Sequence, residues 1–281
     1  MKVGVTLPVF TSDVAVVLDG ARRARAAGLD SVWVYDHMWP LGGPKERTIL
    51  ECYSTLAYLA ATTEDIIIGT LVTRSTLRNP ALLAMMVATV GLMAPGRLIV
   101  AIGSGDAVSR PENEAFGLLY VGGKERARQL EETVTTVRGH LHGEGPLPGP
   151  RPSPPPPVWV GGRSPAMLEI AGSAADGWNA WGATLEDFTR EGEVVRRASG
   201  GRPVVLTWAG SAMIASDDAE ARAKLGARDP AGYLVGGTET MGTRLAALES
   251  AGCAHAILGF PDASRPGSYE LLGDVTRTLF R

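Results

Sequence analysis

The stretch IIIGTLVTRSTLRNPALLAMMVATVGLMAPGRLIVAIGSGD, residues 66–106, decides the fold. Two runs of β-branched and aliphatic residues, 66–72 and 98–102, lack polar alternation, as parallel strands covered on both faces do. Between them 79–93 reads as a helix. Pro80 sits where a first helical turn tolerates it, and Pro95-Gly96 stops it. This is a βαβ unit. Its strands run out into Thr73-Arg74-Ser75 and Gly103-Ser104-Gly105-Asp106, and ligands of parallel α/β folds bind at such carboxyl ends.

The same rhythm extends in both directions. Upstream, 2–8 and 31–35 read as strands, with a helix capped by Ser12 between them and another helix over 50–62. Downstream, a polar loop holding Glu112, Asn113 and Glu114 precedes an amphipathic helix over 124–141. Strands over 158–160, 177–181, 204–214 and 254–258 follow. Helices run from Pro165 to Ala174 and over 185–198, 217–225, 238–250 and 269–279, and 233–237 reads as an apolar turn. Eight strand–helix alternations predict one (β/α)8 TIM barrel filling residues 1–281. The proline-rich stretch 143–157 reads as a stiff connector rather than a domain boundary, because the barrel rhythm resumes at once.

A chain of 281 residues buries roughly 75% of its unfolded surface without staples or metals. Its 27 basic and 30 acidic residues are interspersed, for a net charge of −3, which argues against a nucleic-acid partner. Cys52 and Cys253 are far apart and read as reduced, buried thiols of a cytoplasmic protein. The start, MKVGVTLPVF, does not read as a signal peptide, and no run approaches the ~20 apolar residues of a membrane span. The four histidines are scattered, without metal-ligand spacing. Absence of GxSxG, HExxH, GxxxxGK and GxGxxG argues against a serine hydrolase, a zinc protease, a P-loop enzyme and a nicotinamide-binding domain.

Three places carry candidate chemistry. Asp36-His37 ends the second strand, where the histidine is either a general base or a loop-bonded side chain. Gly103-Ser104-Gly105-Asp106 is either a close backbone approach to a ligand with a carboxylate beside it, or a tight turn. Gly161-Gly162-Arg163-Ser164-Pro165 combines free amides, a helix start and a fixed charge. It is either an anion site or an ordinary βα loop. Trp33, Trp159, Trp178, Trp181 and Trp208 read as core, and Trp39 as part of the mouth because it follows His37.

Taken with SVWVYDHMWP, ENEAFG, ERARQLEETVTTVRG and PPPVWVGGRSPAMLEIAGSAADGW, the central stretch resembles the luciferase-like monooxygenase superfamily. Within it, the chain is most similar to deazaflavin-dependent oxidoreductases. The resemblance covers nearly the whole chain. It implies a (β/α)8 barrel with coenzyme F420 in its mouth, FMN being the alternative, and a small organic substrate. It implies His37 and Asp106 as proton-handling residues, and Asp36, Leu71, Val72, Thr73, Gly103 and Gly105 around the ring. A non-proline cis peptide is expected at Val72–Thr73, with Leu71–Val72 as the other possibility. Gly161, Gly162, Arg163 and Ser164 would hold the cofactor phosphate, and a homodimer is common in the family. Two departures from the family stand out. The segment between the fourth helix and the fifth strand, which shapes the substrate entrance in relatives, is short and proline-rich. Leu41 stands where sugar-phosphate dehydrogenases carry a tryptophan, so a sugar-phosphate substrate is not supported. The implied activity is hydride transfer between deazaflavin and substrate. The rival readings are an FMN- and oxygen-dependent monooxygenase and a flavin-binding barrel without catalysis.

Overall fold

Parallel strands and helices alternate from Lys2 onward in the computed structural model, which describes residues 1–39 and 48–280. The strands are β1 (Lys2–Thr6), β2 (Ser31–Val34), β3 (Ile67–Arg74), β4 (Leu98–Gly103), β5 (Val158–Gly161), β6 (Gly177–Trp181), β7 (Val205–Ala215), β8 (Tyr233–Gly237) and β9 (His255–Gly259). The helices are α1 (Val14–Ala26), α2 (Cys52–Thr62), α3 (Pro80–Met93), α4 (Arg110–Ala115), α5 (Gly123–Leu141), α6 (Pro165–Ala174), α7 (Leu185–Ala198), α8 (Asp218–Leu225), α9 (Thr238–Ser250) and α10 (Ser268–Leu279). Strands β1 to β7 pair in order, and β9 closes the ring between β7 and β1, giving the eight-stranded barrel that the alternation predicts. Pairing is parallel throughout.

Local chemistry sets the ends of these elements. The Asn79 side chain accepts from the Ala81 amide at 2.9 Å, and Pro80 opens α3. For α1 the cap is Asp13, whose Oδ1 accepts from the Ala15 amide at 2.9 Å, and not Ser12. The carboxylate lies one residue nearer the free amides and adds a charge that suits the helix dipole.

Four further expectations are corrected. Residues 233–237 are not a turn: β8 pairs with the last five residues of β7, beyond the point where β7 leaves the barrel ring. Residues 107–115 are not a polar loop. A 3-10 turn leads into α4, and Glu112 and Asn113 are each only 1% exposed. The proline-rich connector does not lie at the substrate entrance. Pro152 and Pro156 are buried against Gly91 of α3, and Pro155, Pro156 and Pro157 border the barrel floor with Lys2 and His255. A helix-to-strand link in a barrel must return to the strands' amino ends, which explains its place. Lastly, Trp181 is 43% exposed and faces the mouth, whereas Trp39 does not line it. Trp181 is the last residue of β6 and shares the inward parity of Asn179, so it stands above the packed interior.

The interior below the mouth is filled by aromatic rings. Trp33 and Trp159 stack with ring centres 5.3 Å apart, and His255 meets both edge-on. Room for them comes from glycine. A Cβ on Gly69 would come within 2.5 Å of the Trp33 ring, and one on Gly177 within 2.6 Å of Trp159. The Ser31 hydroxyl accepts from Trp33 Nε1 at 2.7 Å and lies 2.7 Å from His255 Nε2.

Candidate active site

Above that floor, the carboxyl ends of β2 to β6 surround a cavity of about 500 Å³. His37, Leu71, Val72, Gly103, Gly105, Asp106, Gly161 and Gly162 all line it, together with Arg74, Ser109 and Asn179. Phe10, Tyr35 and Trp181 form an aromatic side.

One wall is made by an irregularity in β3. Thr70 pairs with Val100 and Thr73 with Ile102, so three steps on β3 oppose two on β4. The non-proline cis peptide lies at Leu71–Val72, not at Val72–Thr73. The register explains the place, since Thr73 is already paired again and only Leu71 and Val72 fall within the mismatch. The Val72 side chain then rests on two backbones: a Cβ on either Gly103 or Gly161 would approach it to 2.6 Å. Those glycines admit a shelf of backbone and valine. Thr73 is buried below, its hydroxyl 2.9 Å from the Tyr53 hydroxyl.

Behind the ends of β2 and β3 lies an ionic network. Asp36 is 2% exposed and does not face the cavity. It accepts from the Arg74 amide at 3.0 Å and is gripped by both Arg78 terminal nitrogens at 2.6 and 2.9 Å. Arg78 also reaches Glu51, the α2 cap, at 2.7 Å. Burial acts to lower the Arg78 pKa, but the Asp36 and Glu51 carboxylates prevail and raise it. Asp36 therefore clamps the ends of β2 and β3 to α2.

Arg74 carries the network to His37. Its Nε donates to the Asp36 carbonyl at 3.2 Å and its Nη1 to Asn113 Oδ1 at 3.1 Å. Its Nη2 lies 3.0 Å from Glu112 Oε1, an ion pair out of line for a hydrogen bond. Glu112 Oε2 sits 3.0 Å from His37 Nδ1, and the Met38 amide donates to Oε1. Burial alone would raise the Glu112 pKa. Hydrogen bonds from His37 and Met38, then the charges of His37 and Arg74, outweigh it and hold the carboxyl below its ordinary value. An ionised Glu112 is an acceptor, so His37 Nδ1 carries the proton toward it and Nε2 is left as the ring's acceptor.

The remaining expected residues divide. Asp106 lines the mouth, and its Oδ1 also accepts from the Ser109 amide and hydroxyl at 3.1 Å each, so turn and site coincide. Arg163 and Ser164 do not line the mouth. Arg163 donates to Glu191 at 2.8 and 2.9 Å and to Asp187 at 2.8 Å, so its charge is already matched by α7. Ser164 occupies the N-cap of α6 without capping it through its side chain, which leaves the first-turn amides for another acceptor. Leu41 lies outside the described residues.

Sequence reading missed Arg74, Arg78, Glu112 and Asn113 as site residues. A polar run such as RPENE carries no periodicity that separates buried from solvated positions. Among the described residues no group of His, Cys, Asp and Glu side chains is placed to hold a metal, and no helix is long and apolar enough to cross a membrane.

The mouth of this parallel barrel thus joins a bulged strand, two closely approached glycine backbones and a carboxylate-held histidine. Residues 1–258 match the family model for luciferase-like monooxygenases, and the chain belongs to that family. It is 28% identical over 237 residues to a 5,10-methylenetetrahydromethanopterin reductase of Methanolobus tindarius, covering 79% of this chain and 68% of that one. It is 34% identical over 176 residues to an F420-dependent glucose-6-phosphate dehydrogenase of Kineococcus radiotolerans, covering 57% of this chain and 50% of that one. The chain thus spans about half the length of the matched dehydrogenase. An F420-dependent secondary alcohol dehydrogenase solved with an F420-acetone adduct shares the fold over the whole of both chains, with a TM-score of 0.83 at 20% identity.

Proposed function

We propose that the chain is an oxidoreductase that uses coenzyme F420 to move hydride to or from a small organic substrate. The observation that carries the reading is that the Val72 shelf and the Glu112-backed His37 line one cavity at the strand ends. It is supported by the F420-dependent glucose-6-phosphate dehydrogenases among the relatives in sequence. The residues present fit a deazaflavin. Gly103 and Gly161 leave no room for a Cβ beneath Val72, so a planar ring can lie on that wall. The amides of Gly161 to Ser164 at the start of α6 suit its phosphate. Because Arg163 is paired with Asp187 and Glu191, the amides and the helix dipole supply that attraction.

When bound, the cofactor supplies hydride chemistry at one ring carbon. The chain supplies position and protons. The shelf orients the ring, and the aromatic side excludes water from its edge. His37 Nε2 accepts or returns the substrate's proton while Glu112 stabilises the imidazolium, and Asp106 is the second proton-handling group. The barrel, closed by β1 on β9, acts as one domain. Its buried free thiols suit the cytoplasm. The exposed Leu82, Met85, Leu92 and Met93 of α3 give a homodimer its contact face.

The test is a fluorescence titration of the purified chain with F420 and, separately, with FMN. Micromolar F420 affinity with much weaker FMN binding bears the reading out. Preference for FMN moves the chain to oxygen-dependent monooxygenase chemistry, and no binding of either removes the phosphate assignment at Gly161 to Ser164.

A further inference from the structure

The mouth has two kinds of lining. His37, Arg74 and Asp106 are polar, and Phe10, Tyr35 and Trp181 are aromatic. Arg74 is 3% exposed and committed to Asp36, Asn113 and Glu112, so among the described residues no unpaired cation lines the mouth to receive an anionic substrate. Beyond Trp181 lies a second cavity of about 480 Å³, and Trp181 lines both. Its walls are mainly Trp181, Leu185, Trp208, Tyr233, Leu234 and Leu248, with Arg244 as the one charged lining residue among the described residues. The far wall is built by β8 and α9, the strand and helix that follow the extension of β7 past the barrel ring. Trp181 and Leu185 are 43% and 45% exposed. Large apolar side chains left open beside an apolar cleft mark a place where a ligand removes them from water.

Resting on the proposed function, we propose that this cleft is the outer half of the substrate site. It takes the apolar body of a neutral ketone or alcohol whose oxygen lies by His37 in the mouth. The hydroxyls of a sugar would face aromatic and aliphatic walls there, and any hold on its phosphate would fall to the exposed Arg244, so glucose 6-phosphate is the contrasting probe.

The experiment is calorimetric titration of the full chain, with and without F420, using straight-chain methyl ketones from butanone to nonanone and glucose 6-phosphate as the contrasting probe. Affinity should rise about fourfold for each added methylene until the cleft is filled. Leu185→Ser, at an exposed position outside the mouth, should flatten that series while F420 affinity holds. A flat series in the parent chain, a series untouched by Leu185→Ser, or glucose 6-phosphate binding tighter than any ketone would overturn the inference. F420 binding with a flat ketone series would remove the cleft alone. A rising series without F420 binding would remove the deazaflavin reading and leave the cleft standing.

Discussion

Two histidines sit at opposite ends of the same barrel, and their surroundings differ in kind. His255 on the floor is 2% exposed, its ring edge-on to Trp33 and Trp159 and its Nε2 2.7 Å from the Ser31 hydroxyl. Burial first, then the charges of Lys2 and the amino terminus, push its pKa down to about 3, so it remains a neutral packing group at neutral pH. His37 at the mouth is backed by Glu112, itself backed by Arg74. The floor encloses its imidazole as a flat ring, whereas the mouth leaves its imidazole at a cavity with a carboxylate behind it, the arrangement on which the proposed proton role rests. The difference teaches that residue type alone does not assign chemistry; the partner on the far nitrogen does.

The comparison can be broken most forcefully by activity. His37→Ala should lower the turnover rate by about 10²–10⁴-fold with little change in thermal stability, whereas His255→Gln should leave the rate nearly unchanged. Steady-state kinetics on both variants decides it, and equal losses would erase the distinction. Next comes the support behind His37. Arg74→Ala strands the buried Glu112 and Asp36 carboxylates and should cost about 3–5 kcal/mol, read from urea unfolding. A cost below ~1 kcal/mol would mean that water reaches the network. On the floor, Gly69→Ala forces a methyl into the Trp33 ring and should cost about 1–3 kcal/mol, with F420 affinity unaltered.

The smallest effect is in pH. The folded His255 pKa lies below its ordinary 6.5, so the unfolded chain binds a proton first on acidification. Its contribution is therefore constant above pH 6.5 and is lost between 6.5 and about 3, at up to ~1.4 kcal/mol per pH unit. Glu112, with its folded pKa depressed, adds a loss of its own at the acid end as pH falls through that folded value. His255→Gln should flatten the 6.5-to-3 limb of stability measured by urea unfolding and leave the carboxylate part. An unchanged slope would show that His255 is not the group responsible.

Much of the barrel is legible in residues 66–106, because unbroken aliphatic strands and a Pro80-to-Pro95 helix leave few other packings. The mouth residues at strand ends are legible for the same reason. Helix α4 is not, since six residues starting RPE resemble any solvated loop until they fold back onto β2 and β3. The β8 strand hides likewise: YLVGG is too short to distinguish a strand from a turn without the β7 extension beside it. Trp181 lines the mouth and Trp39 does not, against expectation, because the exposure of a strand end depends on neighbouring loops.

Periodicity, proline and glycine placement by themselves determined the alternation, the closure into a barrel and the end at which the mouth opens, because these follow from local geometry and from the burial of both strand faces. Tertiary structure alone decided which charges meet. Asp36 with Arg78, Arg74 with Glu112, and Glu112 with His37 are pairs separated by 38 to 75 residues. Nothing local selects such partners; the desolvation they share once the strand ends converge does.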